Sequence, residues 1–207
     1  MLNITRLPLG VYQTNCYIIR EEASTSCCVL DPGGEAKKVL EFLENRGLTL
    51  EAILLTHGHF DHILSLDELR AIYPDATVYV HRDDAELLAD GNKNAFALFF
   101  GQSRTWHPAD HLLIDGEIIL LGEARVRVLH TPGHTRGSVC YLCGEHLITG
   151  DTIFSQGYGR YDLYGGDYGA LCSSLRSLTE LSPALRIYPG HGPSALLGDA
   201  LSSIGLA

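Results

Sequence analysis

Seven residues of the kind that bind divalent metals fall in four short clusters between positions 57 and 191. A fold that uses them together must bring distant parts of this 207-residue chain to one place. The first cluster is Thr56-His57-Gly58-His59-Phe60-Asp61-His62. The others are Thr131-Pro132-Gly133-His134, Gly150-Asp151-Thr152 and Pro189-Gly190-His191-Gly192. Together they offer five imidazoles and two carboxylates, enough to hold two borderline divalent ions side by side with one carboxylate bridging. Each cluster has glycine beside the ligand, which lets backbone and ligand crowd around an ion. A bridged ion pair makes hydroxide at neutral pH, so the inventory points to metal-dependent hydrolysis.

Composition narrows the setting. Hydrophobic residues make up 45% of the chain, which suits one domain, 1–207, with a sizeable core. A formal charge of −10 argues against nucleic acid as the main partner, because phosphate binding needs clustered Lys and Arg. No apolar run reaches membrane-spanning length, and residues 1–10 lack the pattern of a signal peptide. The expectation is a cytoplasmic protein with no nucleic-acid or membrane partner and undetermined oligomeric state. The six cysteines read as small buried hydrophobes kept reduced. Cys140 and Cys143 lie three apart on an expected strand and so face opposite ways, a poor chelate and a poor redox couple.

The pattern of apolar residues places each cluster just after a strand. Expected strands are 3–9, 15–20, 27–31, 52–56 and 77–80 in the first half, with helices over 35–46, 63–73 and 83–100. In the second half, strands over 112–114 and 117–121 flank an Asp115-Gly116 turn that reads as a hairpin. Strands over 125–130, 138–143, 146–149 and 186–188 follow. A helix capped by Asp167 buries Tyr168, Leu171, Leu175 and Leu178, and a last helix covers 193–203. Strands grouped early in each half, with helices after them, suit two mixed sheets packed face to face with helices outside. The strands 52–56, 125–130, 146–149 and 186–188 would then deliver the four clusters to one edge of the sandwich.

With those motifs in place, the chain resembles the metallo-β-lactamase superfamily. HxHxDH at 57–62, TPGHTxGS at 131–138, GD at 150–151 and PGH at 189–191 occur in that family's order. The resemblance implies an α+β fold, a four-layer αββα sandwich. It also implies that His57, His59 and His134 hold one metal, that Asp61, His62 and His191 hold a second, and that Asp151 bridges. Asp61 and Asp151 are the implied catalytic carboxylates. Asp151 stands where many zinc β-lactamases have Cys, and the ligand set looks like the glyoxalase II group. Gly159-Arg160-Tyr161-Asp162-Leu163-Tyr164-Gly165-Gly166-Asp167 resembles the GRxDxPGGD loop of compact glyoxalase II-like hydrolases, with Tyr164 in place of the usual Pro. Full-length glyoxalase II carries a basic helical region that grips glutathione, whereas 16 residues follow His191 here. The acyl group and thiol carrier therefore stay open.

The resulting expectation is hydrolysis of a small acyl compound, a thioester above all, by a metal-bridging hydroxide. Zinc is the default metal, and iron and manganese also fit the donors. Tyr158, Arg160, Tyr161 and Tyr164 are expected to line the substrate mouth, with an Arg160–Asp162 ion pair as the structural reading of Arg160. Asp31 reads equally as a turn cap and as a hydrogen-bond partner of a ligand histidine. His81, His107, His111, His130 and His146 have no partner at ligand spacing. The alternative function is a mononuclear iron persulfide dioxygenase on the same fold, using His57, His134 and Asp151. Ser138 stands where that group usually has Cys, and metal stoichiometry separates the two readings.

Overall fold

A computed structural model describes residues 2–206. The expected domain, 1–207, includes Met1 and Ala207, which lie outside the described residues. Twelve strands form two six-stranded mixed sheets. The first contains β1 (Leu2–Leu9), β2 (Thr14–Glu21), β3 (Ser26–Leu30), β4 (Thr49–Leu54), β5 (Thr77–His81) and β6 (His111–Leu113), in sequence order. Its first two pairings are antiparallel and the rest parallel. The second contains β7 (Ile118–Leu121), β8 (Ala124–His130), β9 (Val139–Cys143), β10 (His146–Gly150), β11 (Arg186–Pro189) and β12 (Ala195–Leu196), again in sequence order. Only β10 and β11 pair in parallel there.

The layering follows from strands apolar on both faces. Val29 and Ile53 face an outer core with Val39 and Leu43 of α1 (Ala36–Glu44) and Leu69 of α3 (Leu66–Ile72), while their neighbours Leu30 and Leu54 face the other sheet. Across the sandwich, Tyr141 and Ile148 face inward. Cys140 and Leu147 face outward onto Leu171 and Leu175 of α6 (Tyr168–Ser177) and Leu197 of α7 (Leu197–Ser203). This is the four-layer αββα sandwich. Cys140 and Cys143 lie in different cores, on opposite faces of β9. All six cysteines are free thiols, and burial pushes that of Cys27 up to about 12.

Several local expectations change in the folded chain. The Asp115-Gly116 turn does not close a hairpin between its flanking strands. β6 pairs with β5 in one sheet and β7 with β8 in the other, so the turn is the crossover between sheets. The helix expected over 63–73 is split into α2 (Phe60–Ile63) and α3, with the Ser65 hydroxyl donating to the carbonyls of Pro32 and Gly34 between them. The 83–100 segment holds only a 3₁₀ turn, α4 (Ala85–Leu88) and α5 (Phe96–Phe100). Left-handed Ala95 (φ 68°) and buried Asn94, bonded to the carbonyls of Leu87 and Arg104, interrupt it. Residues 193–203 supply β12 before α7 begins.

The sheets are tied together at the edge where the clusters emerge. Tyr17 and Tyr141 donate across the sandwich to the carbonyls of Pro189 and Leu55, and the Asn15 side chain reaches the carbonyls of Pro189 and Gly192. Two backbone bonds, Asn15 N–H to Gly190 O and Val139 N–H to Thr56 O, complete the seam. No helix among the described residues is long and apolar enough to cross a membrane.

Candidate metal centre

The four strand-end loops meet at this seam, and the structure brings all seven expected ligand residues together. Ligand atoms of His57, His59 and His134 lie within 4.8 Å of one another, as do those of Asp61, His62 and His191 and those of His57, His62 and Asp151. Asp151 sits between the two nests. Its Oδ1 is 3.5 Å from His62 Nε2, and its Oδ2 is 3.7 Å from His134 Nε2 and 3.6 Å from His191 Nε2. His191 Nε2 also approaches Asp61 Oδ2 at 3.3 Å.

The hydrogen bonds around the imidazoles decide which nitrogen each one presents. His134 Nδ1 donates to the carbonyl of Arg160 at 2.6 Å and His191 Nδ1 to that of Tyr12 at 3.2 Å. His62 Nδ1 donates to Asp31 Oδ2 at 3.0 Å. The Thr56 hydroxyl spends its proton on Asp31 Oδ2, so it accepts from His57 Nδ1 at 3.1 Å. Four rings are thereby held with Nε2 turned inward, the arrangement that outer hydrogen bonds impose on metal-ligating histidines.

That arrangement fits metal ions. His134 Nε2 lies 3.2 Å from His57 Nε2 and 2.8 Å from His59 Nδ1, so three imidazole nitrogens converge on one point, as ligands of a single ion would. Among the described residues, four buried side-chain polar atoms lack a hydrogen-bond partner. Three of them, His59 Nε2, His62 Nε2 and Asp151 Oδ1, belong to this cluster. Unpaired buried polar atoms are costly enough that such a concentration points to a bound group. Burial, with the neighbouring imidazoles, drives His57 and His59 well below the usual histidine range, keeping both neutral. Burial also lowers His62, but the carboxylates of Asp61, Asp151 and Asp31 outweigh it and carry it up to about 10. Burial works against the charge of Asp61 too, yet His62 and His191 hold it below the usual carboxylate range. The first nest is thus built of neutral donors, and in the second the carboxylates of Asp61 and Asp151 draw positive charge onto His62, the place a metal ion would take.

Two glycines are required by space. A Cβ on Gly159 would lie 1.9 Å from the Asp151 carbonyl oxygen, and one on Gly190 would lie 2.1 Å from Asp151 Oδ1 and 2.7 Å from His62 Cε1. Of the two roles read for Asp31, its side chain takes the second: it accepts from Thr56 and the ligand His62 and makes no bond to its own turn, where its backbone is left-handed (φ 48°).

A pocket of about 270 Å³ opens onto the centre, lined by His59, Asp61, His134, Asp151 and His191 together with Tyr12, Phe60, Ala95, Phe99, Arg160 and Leu163. Of the four residues expected at the substrate mouth, only Arg160 lines it. Its guanidinium pairs with Asp162 at 2.7 and 2.8 Å, and its carbonyl positions His134. The backbone of Tyr158 bridges to Ile153, Tyr161 packs tilted against Tyr168 at 4.8 Å, and Tyr164 donates to Glu86 at 2.9 Å beneath Arg136. None of the three tyrosines lines this pocket. Tyr168, expected in the core, is instead exposed.

Sequence reasoning missed Tyr12, Ala95 and Phe99, which come from segments without ligands. It also missed Asp84. This buried carboxylate accepts from Gly58 N–H (2.9 Å), Thr135 Oγ1 (2.8 Å) and Gly137 N–H (2.7 Å), joining the loop of the first cluster to that of the second. Burial pushes it up to about 6 against the pull of these donors. His81 and His130, read as unpartnered, stack at 4.0 Å because strands β5 and β8 end side by side. Their outer nitrogens are already engaged: His81 Nδ1 accepts from Asp83 N–H and His130 Nε2 meets the Arg136 carbonyl. Trp106 lies in the core against Phe96, outside the pocket.

Comparison with known proteins agrees with this geometry. The sequence profile of the Metallo-beta-lactamase superfamily matches residues 9–191. The probable metallo-hydrolase YqgX of Bacillus subtilis (strain 168) is 41% identical over 192 residues, covering 91% of this chain and 89% of that protein. The crystal structure of BLEG-1 B3 metallo-beta-lactamase superposes with a TM-score of 0.90 at 36% identity, covering 98% of this chain and 97% of that one. TTHA1623 in a di-iron-bound form superposes with a TM-score of 0.83 at 36% identity, covering 94% and 95%.

Proposed function

The chain belongs to the metallo-beta-lactamase superfamily, and on that premise we propose that it is a dinuclear-metal hydrolase of thioesters. The observation that carries the reading is the placement of Asp151, with one carboxylate oxygen toward His62 and the other toward His134 and His191. His57, His59 and His134 would hold one ion, Asp61, His62 and His191 the second, and Asp151 both. Two divalent ions held there would supply Lewis acidity toward a carbonyl oxygen and a nucleophile from water at neutral pH. Zinc suits these donors best; the di-iron form of the related TTHA1623 is the reason to test iron beside it.

The chain's own residues contribute order. Asp31, Thr56 and the carbonyls of Tyr12 and Arg160 aim four imidazoles before any ligand arrives, so little reorganisation is needed at the centre. The pocket also bears on the leaving group. Apart from the ligand residues, Tyr12 and Arg160 bring the only side-chain N–H or O–H donors among its lining residues, and Arg160 is engaged by Asp162. A thiolate departs without protonation, whereas an amide nitrogen needs a proton. A thioester therefore asks least of this lining, whose one donor left unengaged for a leaving nitrogen is the Tyr12 hydroxyl.

The test is metal loading followed by a substrate panel of a thioester, an oxygen ester, an amide and a β-lactam. The expected result is two equivalents of metal per chain, with thioester kcat/KM at least about tenfold above that for the amide and the lactam, or about 1.4 kcal/mol. Preferred turnover of the lactam would refute the substrate assignment. One tightly held iron, with persulfide-dependent oxygen uptake and no thioester hydrolysis, would move the assignment to the dioxygenase.

A further inference from the structure

We infer that the acyl group accepted at this centre is an uncharged apolar chain, seated against a wall built from Tyr12, Phe60, Ala95, Phe99 and Leu163. This rests on the hydrolase reading and names its substrate class. The five residues line the same 270 Å³ pocket as the metal-ligand side chains and bring no charge to it. Apart from the ligand residues the one cationic side chain in the lining is Arg160, and its charge is paired with Asp162 through two hydrogen bonds, so the wall itself offers a carboxylated or phosphorylated acyl group no unpaired cation.

The wall is fixed in place. Phe60 lies between the ligands His59 and Asp61, and its ring packs edge-on against Tyr12 at 5.2 Å and tilted against Phe99 at 5.2 Å. Tyr12 and Phe99 meet at 6.0 Å, closing the aromatic triangle. The backbone N–H of Phe60 donates to Asn94 O at 3.0 Å, coupling the metal-ligand loop to the segment that carries α5. Left-handed Ala95 then turns the chain into that helix, a strained conformation of the kind that collects at binding sites. Phe99 is nevertheless 45% exposed and lines the pocket. A large apolar ring left open beside a centre of ligand atoms gains from a substrate that covers it.

The experiment uses metal-loaded protein and straight-chain acetyl, butanoyl and hexanoyl thioesters of one small thiol, with the succinyl thioester as the charged probe. Burying methylenes against the wall should raise kcat/KM about two- to fourfold per added CH₂. Phe99→Ser and, from another side of the pocket, Leu163→Ala should each cut the hexanoyl-to-acetyl ratio at least about fivefold. Leu98→Ser should leave that ratio unchanged, because Leu98 is 70% exposed and outside the lining. Circular dichroism of each variant checks folding, and one folded pocket variant suffices. In parallel, titration calorimetry with acetate, butanoate and hexanoate reads the wall without turnover, and affinity should rise along the series.

The outcomes separate the two claims. Thioester hydrolysis indifferent to chain length, or preferring succinyl, overturns the apolar pocket and leaves the hydrolase standing. Carboxylate affinity that rises with chain length and falls in Phe99→Ser, without hydrolysis of any thioester, upholds the pocket and overturns the hydrolase.

Discussion

Replacing Asp84 with alanine tests whether the two metal loops depend on one buried carboxylate. The side chain is fully buried and accepts from two backbone amides and the Thr135 hydroxyl. Thr135 keeps Ser138 as a partner at 2.7 Å, so the amides of Gly58 and Gly137 are the groups stranded. Two buried unpaired groups at about 1–3 kcal/mol each give roughly 4 kcal/mol of destabilisation. A second effect opposes this. Burial raises Asp84 from 3.8 to about 6, so above pH 6 the wild type carries a charge cost of roughly 3 kcal/mol that alanine lacks. Between the unfolded and folded values the native state holds a proton that the unfolded chain has released. The stability that Asp84 contributes is therefore full below about pH 4 and is lost as pH rises through about 6. The stability gap between wild type and Asp84→Ala should shrink by about 2 kcal/mol from pH 4.5 to pH 7. Urea unfolding of metal-free protein in chelator measures it directly. A gap that stays constant or widens with pH would show that the three donors outweigh burial, and the charge argument would fail. Metal affinity of the variant should also drop about 10- to 100-fold, since its loops lose their common anchor.

Other perturbations have sharper local outcomes. Asp31→Ala frees His62 and the Thr56 hydroxyl, so elemental analysis should find one equivalent of metal fewer while circular dichroism stays native. Gly190→Ala drives a methyl group into Asp151 and His62; metal affinity by competition with a chelator should fall at least about tenfold, as for other supports of a metal site. Asp151→Ala should lose most activity and retain its fold, because the core lies in three clusters beyond the site. Near wild-type turnover with full metal content would refute its bridging position. Tyr164→Phe removes one hydrogen bond between exposed Tyr164 and half-buried Glu86, and its unfolding free energy should stay within about 0.5 kcal/mol of wild type.

What the sequence determined by itself is the ligand inventory and the layered class. Histidine and aspartate at fixed spacing beside obligatory glycines are local chemistry, and Val29-Leu30 or Cys140-Tyr141 are apolar on both faces whatever their partners. The Asp167 cap was equally legible, because an N-cap is satisfied within one turn, here by Ala170 N–H at 2.7 Å. Tertiary structure alone decided the rest. Whether Asp115-Gly116 closes a hairpin or crosses between sheets depends on which distant strand completes each ladder, and a turn motif carries no record of that. The three tyrosines near Arg160 looked like pocket residues from their proximity to Asp151, but none lines it: Tyr161 packs on Tyr168 and Tyr164 bonds Glu86 instead. The pocket's apolar wall instead comes largely from Tyr12 and Phe99, 87 positions apart, which meet because Phe60 packs against both. Asp84 follows the same rule: its partners at Gly58, Thr135 and Gly137 lie in loops that follow strands of different sheets, and only the closed sandwich brings them within reach of one carboxylate.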